Sequence, residues 1–127
     1  MLDEPRKKIY LIDDDDMHLI TAELFLKDEY EIYKAESGQE ALDYINNNKF
    51  VPNLILLDIM MPNMDGWEVF KRMRKIEFLN NVPIVFLTSV EEKMDKAKAE
   101  KMGIADYIMK PYNMMDLKNK IKSIIKK

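Results

Sequence analysis

Apolar and polar positions alternate in blocks along the chain, and these blocks predict strands and helices in strict alternation. Three runs, residues 9–12, 54–57 and 82–87, are apolar throughout and rich in branched residues. Such runs are typical of strands that are covered on both faces of a sheet. Residues 31–35 and 105–109 mix polar with apolar positions, which favours strands at the two edges of the sheet.

Helical periodicity fills the gaps between the predicted strands. Ser37 and Glu40 form a capping box that opens the second helix, and three asparagines at residues 46–48 end it. The fourth helix has the thinnest apolar stripe. Leu19, Ile20, Leu24 and Phe25 mark the first helix, and Trp67, Val69, Phe70 and Met73 mark the third. Met94 and Ala97 mark the fourth helix, and Leu117, Ile121, Ile124 and Ile125 mark the fifth.

Five βα units in succession predict an α/β fold with a doubly wound parallel sheet, right-handed crossovers and helices on both faces. Because the three apolar strands must be central and the two mixed strands must lie at the edges, we expect the flavodoxin-like (βα)5 strand order 2-1-3-4-5. In such sheets ligands bind at the carboxyl ends of the strands, near the switch point between strands 1 and 3.

Length and composition narrow the functions that this fold could serve. The 127 residues suit one domain, which we expect to span residues 1–127 with a folded core from about residue 8 to residue 125. The absence of cysteine excludes disulfides and cysteine-ligated zinc, and the net charge of -3 argues against direct binding of nucleic acid. No apolar run approaches the ~20 residues of a membrane span, and the amino terminus lacks a signal-peptide pattern, so we expect a cytoplasmic location.

Polar side chains follow four of the five predicted strands. Four aspartates at residues 13–16 follow strand 1, Asp58 follows strand 3, Thr88 and Ser89 follow strand 4, and Lys110 follows strand 5. Since strands 1 and 3 are neighbours, their carboxylates should converge, and like charges so close raise each other's pKa unless a cation lies between them. The sequence therefore predicts a site for a hard divalent cation, with Mg²⁺ as the best match and Mn²⁺ as an alternative.

Each of these polar residues also has a purely structural interpretation. Asp15 and Asp16 suit the amino-terminal cap and first turn of helix 1, Lys110 could be a surface lysine, and Thr88 a strand-end hydroxyl. Taken together, these interpretations require coincidences at four strand ends. His18 is the only histidine, and we expect it to be solvated or to cap helix 1 because no second histidine is present to complete a metal site.

Four segments carry a resemblance to a known family: residues 9–14, 56–66, 85–89 and 103–111. The most specific is Asp-Ile-Met-Met-Pro-Asn-Met-Asp-Gly at residues 58–66. Over nearly the whole chain the sequence resembles the receiver family of response regulators. The resemblance implies a phosphorylation-dependent signalling switch of a two-component system.

The same resemblance implies a metal-dependent phosphorylation site. Asp58 resembles the phosphoacceptor and a metal ligand, and Asp13 and Asp14 resemble the metal-binding acidic pair. Met60 matches the residue whose main-chain carbonyl also binds the metal.

The resemblance further implies how the signal leaves the site. Lys110 matches the lysine that pairs with the phosphoryl group, Thr88 the switch hydroxyl, and Tyr107 the aromatic residue that changes rotamer. Family members usually have a cis bond before the proline that matches Pro111, which would aim the Lys110 ammonium into the site. Phosphorylation is then expected to change the surface formed by helix 4, strand 5 and helix 5.

The resemblance also implies which partners the chain has and how long it stays phosphorylated. The phosphoryl group would come from a sensor histidine kinase or a histidine phosphotransfer protein, and the signal would pass to a downstream protein target or an output domain. The chain would not be a conventional enzyme, although it would catalyse its own phosphoryl transfer and a slow autodephosphorylation. The rate is expected to be slow because Met60 and Val90 are apolar where fast-resetting relatives tend to carry polar residues that orient water.

Three other functions are weaker interpretations of the same residues. A phosphate-independent pseudo-receiver typically lacks the acceptor, the acidic pair or the lysine, all of which are present. A Mg²⁺-dependent phosphatase of the haloacid dehalogenase type needs its nucleophile in an Asp-x-Asp-x-Thr/Val context after strand 1, but Asp14 and Asp16 are followed by Met17 and His18. That interpretation also leaves residues 58–66 unexplained. A flavin carrier would need a loop rich in serine, threonine and glycine after strand 1.

Overall fold

Strands and helices alternate along the chain as the sequence predicts. The structure is a computed structural model that describes residues 5–89 and 96–125. Within these residues the strands are β1 Lys8–Ile12, β2 Glu31–Ala35, β3 Leu54–Asp58, β4 Ile84–Ser89 and β5 Asp106–Lys110. The α-helices are α1 Asp16–Leu26, α2 Gly38–Asn48, α3 Gly66–Met73, α4 Lys96–Met102 and α5 Met114–Ile124, and a 3₁₀ turn covers Glu77–Leu79.

The five strands form one parallel sheet in the order β2-β1-β3-β4-β5. The central strands β1, β3 and β4 are almost entirely buried, whereas β2 and β5 are partly exposed. Ile12 lies opposite Leu57 on β3, and Asp58 lies opposite Leu87 on β4, so the central strands end at one edge. The predicted flavodoxin-like fold class is confirmed.

Apolar clusters cover both faces of the sheet, because successive side chains of a strand point to opposite faces. One cluster joins Tyr10, Ile12 and Phe86 to the buried faces of α2, α3 and α4. The other joins Ile9 and Leu11 to the buried faces of α1 and α5. None of the described helices combines the length and apolar character required to cross a membrane.

Side-chain caps begin the helices where the sequence predicts. Asp15 accepts hydrogen bonds from the amides of Met17 and His18, and Asp16 supplies the first-turn acid of α1. Ser37 accepts from the Glu40 amide, and the Glu40 carboxylate accepts from the amide of Glu36. The capping predictions for α1 and α2 are therefore confirmed.

The largest difference between the predicted and observed strand boundaries lies in β4 and has a clear cause. β4 begins at Ile84 rather than at residue 82, because the Val82 amide bonds the Leu79 carbonyl and Pro83 has no amide to contribute to the sheet. At its other end β4 continues through Thr88 and Ser89, which brings their side chains into the sheet.

The predicted inward face of α1 is right at Leu19 and wrong at its other positions. Ile20, Leu24 and Phe25 are exposed, and the helix packs through Leu19 together with Ala22 and Leu26. In α4 the buried alanine is Ala99 rather than Ala97. In both helices a small alanine faces the core and permits the helix to approach the sheet closely. The spacing of apolar residues does not show which face of the helix is buried in this way. The predictions for Val90 and Met94 concern positions outside the described residues.

Candidate metal centre at the carboxyl edge of the sheet

Three carboxylates from neighbouring strands meet at the carboxyl edge of the sheet. Asp13 and Asp14 follow β1 and Asp58 ends β3, and one oxygen of each lies within 4.8 Å of the others. Asp13 and Asp58 are only 1% and 5% exposed, whereas Asp14 is open to solvent. The convergence expected from the strand order is therefore present.

Lys110 brings a cation to the same carboxylates from the far edge strand. Its Nζ lies 3.2 Å from Asp13 Oδ2 and 3.4 Å from Asp58 Oδ1. Strand β5 carries it there, since Lys110 pairs with Ser89 at the end of β4. The bond between Lys110 and Pro111 is cis, as the family resemblance implied.

Burial and neighbouring charges shift the pKa values of the two buried carboxylates in opposite directions. Burial, together with the neighbouring Asp13 charge, raises the pKa of Asp58 to about 7, and Lys110 offsets only part of this increase. Burial also acts to raise the pKa of Asp13, but hydrogen bonds from His18 and the Asp15 amide, with the Lys110 charge, outweigh it and leave that pKa lowered. Near neutrality Asp58 in the metal-free cluster is therefore only partly ionised.

The donor set of this cluster fits a hard divalent cation. All three side chains offer carboxylate oxygens, the ligands that Mg²⁺ and similar ions prefer. The raised pKa of Asp58 reports the cost of gathering these charges without a cation. Sulfur and paired imidazole ligands are missing from the cluster, so a soft metal is a poor match.

The loop between β3 and α3 folds back against the acceptor strand. The Gly66 amide donates to the Ile59 carbonyl at 2.8 Å. A Cβ at Gly66 would lie 2.6 Å from the Asp58 carbonyl oxygen, so only glycine fits this approach. The turn contains Asn63 at φ 70° and presents the Met60 side chain outward, 61% exposed.

Thr88 and Tyr107 lie outside the group of carboxylates. Thr88 is completely buried at the end of β4, one residue beyond the partner of Asp58, and its hydroxyl donates to the Ser89 carbonyl at a long 3.4 Å. Tyr107 is half-buried on β5 and lines a cavity of about 360 Å³ beside α4. The structure thus gathers Asp13, Asp14, Asp58 and Lys110 and sets the two other predicted residues on the strands next to them.

Sequence reasoning missed two residues that reach this site. His18 Nδ1 lies 2.6 Å from Asp13 Oδ2, and its Nε2 is hydrogen-bonded to the hydroxyl of Tyr112. The expectation that His18 is solvated or caps α1 is wrong, because its side chain is 19% exposed and Asp15 is the cap. Helical side chains point back toward the amino terminus, so a histidine three residues after the cap was a detectable signal.

The fold and this site together define a class of protein. The fold is a flavodoxin-like domain, and the site holds a carboxylate cluster and one ammonium group in place of a loop that cradles a nucleotide. The family model for the response regulator receiver domain matches residues 9–122, and the chain belongs to this family. It is therefore a receiver domain of two-component signal transduction, in which such domains interact with kinases and output domains.

Relatives of known sequence are longer than this chain. The chain is 34% identical over 118 residues to the transcriptional regulatory protein CrdR of Helicobacter pylori, which covers 92% of this chain and 54% of that protein. It is 33% identical over 122 residues to the alkaline phosphatase synthesis transcriptional regulatory protein PhoP of Bacillus subtilis, covering 95% and 49%. The chain thus spans about half the length of these relatives.

Solved structures of similar domains match over nearly their full length. The chemotaxis protein CheY4 of Vibrio cholerae superposes with a TM-score of 0.82 at 27% identity, covering 94% of this chain and 98% of that chain. A CheY-like receiver domain protein of Methanospirillum hungatei gives a TM-score of 0.82 at 30% identity, covering 94% of each. Neither the pseudo-receiver nor the phosphatase alternative gains support from these matches.

Proposed function

We propose that this receiver domain is switched by phosphorylation of Asp58, with Mg²⁺ as cofactor and a sensor histidine kinase or histidine phosphotransfer protein as the donor. One observation carries the proposal. Asp58 is a buried carboxylate that the neighbouring acidic pair and Lys110 surround, and its raised pKa reflects burial and the neighbouring negative charge, a combination typical of functional sites.

In the proposed reaction an Asp58 oxygen attacks the phosphorus of a phosphohistidine. A P–O bond forms, the P–N bond breaks, and the imidazole leaves with its electron pair and takes up a proton. Such transfers depend mainly on positioning and on neutralisation of charge. A bound divalent cation would supply charge neutralisation for the carboxylates and the phosphoryl oxygens. Asp13, Asp14, Asp58 and the main-chain carbonyl of Met60 are the groups that would hold it.

Lys110 and Thr88 would stabilise the product. The Lys110 ammonium pairs with two carboxylates in this structure. When Asp58 is phosphorylated, the ammonium can pair with a negatively charged phosphoryl oxygen instead. The Thr88 hydroxyl makes only a bond of 3.4 Å, at the long limit for hydrogen bonds, so little is lost when it turns to a phosphoryl oxygen.

Movement of Thr88 would be transmitted to the surface through Tyr107. Residues Ala99, Ile104 and Tyr107 line the cavity of about 360 Å³ beside α4, which offers room for the ring to turn. The phosphorylated form would therefore present a changed surface of α4, β5 and α5 to a downstream protein or an output domain.

An exposed apolar stripe beside the acidic cluster supports a protein as the phosphoryl donor. Met17, Ile20 and Leu24 are 68%, 45% and 60% exposed and lie at i, i+3 and i+7 on α1. Single exposed apolar residues are ordinary, but three on one helical face form a contiguous patch suited to protein contact. A partner docked there would sit next to Asp14 and above the acceptor.

Intact mass spectrometry tests the assignment of the acceptor. Incubation with Mg²⁺ and a small acyl phosphate should add one phosphoryl group to the chain, and Asp58→Asn should abolish the addition. Chelation of Mg²⁺ should have the same effect. Asp43→Asn removes an exposed carboxylate of α2 and should be phosphorylated like the wild type. A phosphoryl group that persists on Asp58→Asn would show that the acceptor is another residue.

A further inference from the structure

A hydrogen-bond chain connects the loop after β5 to the acidic cluster. The hydroxyl of Tyr112 contacts His18 Nε2, and His18 Nδ1 lies 2.6 Å from Asp13 Oδ2. The two rings pack edge to face with centroids 5.4 Å apart. His18 belongs to the first turn of α1, and Tyr112 follows the cis Pro111 in the loop after β5. The hydrogen bonds therefore connect α1 with this loop beside the site.

The chemistry of the three groups sets the direction of the two hydrogen bonds. Asp13 is ionised under ordinary conditions and can only accept, so His18 Nδ1 must be the donor to it. A neutral imidazole carries one N–H, which leaves Nε2 as an acceptor for the Tyr112 hydroxyl. The tautomer with its proton on Nδ1 thus satisfies both contacts.

Both carboxylate oxygens of Asp13 have hydrogen-bond partners, but one of these partners is expected to move when Asp58 is phosphorylated. Oδ1 accepts the Asp15 amide at 3.0 Å, whereas Oδ2 faces both His18 and Lys110. Lys110 is shared with Asp58 at 3.4 Å and is the group expected to move onto a phosphoryl oxygen. His18 alone would then keep Oδ2 hydrogen-bonded in both states of the switch.

We propose that His18 is a positioning residue for the metal ligand Asp13, and that Tyr112 orients His18, so that the pair raises the affinity of the site for a divalent cation. This inference rests on the proposed function of the acidic cluster. Hydrogen-bond partners of ligating side chains commonly contribute about 10–100-fold to metal affinity, because they fix the ligand in its binding orientation. The side chain of His18 is only 19% exposed, which shields the bond to Asp13 from competition by water.

Three substitutions separate positioning from simple packing. His18→Leu keeps apolar volume and removes both hydrogen bonds. His18→Asn offers an amide N–H in the place of Nδ1 while losing the contact with Tyr112. Tyr112→Phe deletes one oxygen and nothing else. Calorimetric titration with MgCl₂ at about pH 8, where ordinary imidazole is neutral, gives the affinity of each purified variant.

The expected order of affinities is specific. His18→Leu should bind Mg²⁺ about tenfold more weakly than the wild type, and Tyr112→Phe should show a smaller loss. His18→Asn should recover most of the wild-type affinity, and Tyr112→Phe should have no further effect in the His18→Leu background. Melting temperatures in chelator should stay close to that of the wild type, which a purely structural role of His18 would not allow.

Unchanged or tighter binding by His18→Leu, with the wild type binding normally, would overturn this inference and leave the proposed function intact. A wild type that binds no Mg²⁺ would overturn both. If His18→Leu fails to fold, Tyr112→Phe decides the question, since equal affinity of this variant and the wild type would refute the hydrogen-bond chain.

Discussion

Burial and charge both act against the ionisation of Asp58. It is 5% exposed, and the Asp13 carboxylate adds to the effect of burial, so its pKa rises to about 7. An ordinary aspartate on the surface would be ionised but would have no reason to hold a cation or a phosphoryl group. This resistance to ionisation is the physical reason to expect that a cation or a phosphoryl group at the site acts on Asp58.

Asp58→Asn should stabilise the metal-free domain, and the gain should grow by about 2 kcal/mol between about pH 5 and about pH 8. The pKa of Asp58 is raised to about 7 in the folded chain, against about 3.9 when unfolded. The folded state therefore holds an extra proton between these values, and the free energy of unfolding falls as the pH rises through them. Asparagine cannot ionise and removes this loss. Urea denaturation in chelator measures it, and equal gains at both pH values would contradict it.

Met60 should slow the loss of the phosphoryl group. Its side chain is 61% exposed on the loop beside Asp58 and cannot hydrogen-bond a water in line with the phosphorus. Met60→Asn should therefore increase the decay rate of the phosphorylated form about tenfold, a barrier lower by ~1.4 kcal/mol. The decay is followed by intact mass in Mg²⁺. Met115→Asn changes an exposed methionine on α5 and should leave the rate unchanged, whereas equal rates for Met60→Asn and wild type would refute the idea.

At the scale of elements, α1 has two different apolar faces. Leu19, Ala22 and Leu26 pack against the sheet, and Met17, Ile20 and Leu24 remain exposed on the other side. The Asp15 cap fixes the start of the helix, which places the exposed face next to the carboxylates. One helix thus supplies part of the core and a cap beside the acidic cluster, and it carries the surface that we propose for a partner.

Ile20→Glu should weaken phosphorylation by a protein donor without affecting phosphorylation by a small acyl phosphate. A charge in the apolar stripe opposes docking of a partner, but Ile20 is exposed and is not a member of the acidic cluster. We expect at least a roughly tenfold lower transfer rate from a purified sensor kinase, the effect of ~1.4 kcal/mol. Val51→Glu is the matched control. It changes an exposed apolar residue that precedes β3, at the amino-terminal end of the strands and so opposite the acidic cluster. An equal loss with both donors would mean that the substitution damages the fold rather than the surface.

At the scale of the whole molecule, the site exists only when the complete sheet is assembled. Its carboxylates come from β1 and β3, its lysine from β5, and the buried hydroxyl of Thr88 from β4 between them. Apolar clusters on both faces hold these strands in register. Binding of a cation at this edge should therefore be linked to global stability rather than to a local loop.

Mg²⁺ should raise the melting temperature of the domain, because it binds the folded state and not the unfolded chain. At ten times the dissociation constant the stabilisation is about 1.4 kcal/mol, or about 5 °C for a domain of this size. Asp14→Asn should blunt the response, and since Asp14 is exposed the metal-free fold should be little changed. Asp43→Asn should keep the full response and so control for ionic strength. No shift across a Mg²⁺ titration would count against the metal centre.

The sequence by itself determined the order of the strands and the residues at their ends. Fully apolar runs favour central strands and mixed runs favour edges, so local patterns indicated that β2 and β5 lie at the edges. The order of the central strands followed from the flavodoxin-like topology that this arrangement matches. The same logic placed Asp13, Asp58 and Lys110 at one edge, because parallel strands share the direction of their ends. Cap residues such as Ser37 were equally readable, since a cap acts within one helical turn.

Only the tertiary structure decided which face of α1 is buried, how His18 and Tyr112 reach Asp13, and how strongly Asp58 resists ionisation. The rotation of a helix depends on how closely it can approach the sheet, and Ala22 permits an approach that Ile20 does not. Asp13 and Tyr112 lie far apart in sequence and meet His18 only after β1, α1 and β5 have packed. The pKa of Asp58 sums burial and charges from several strands, quantities that no local pattern contains.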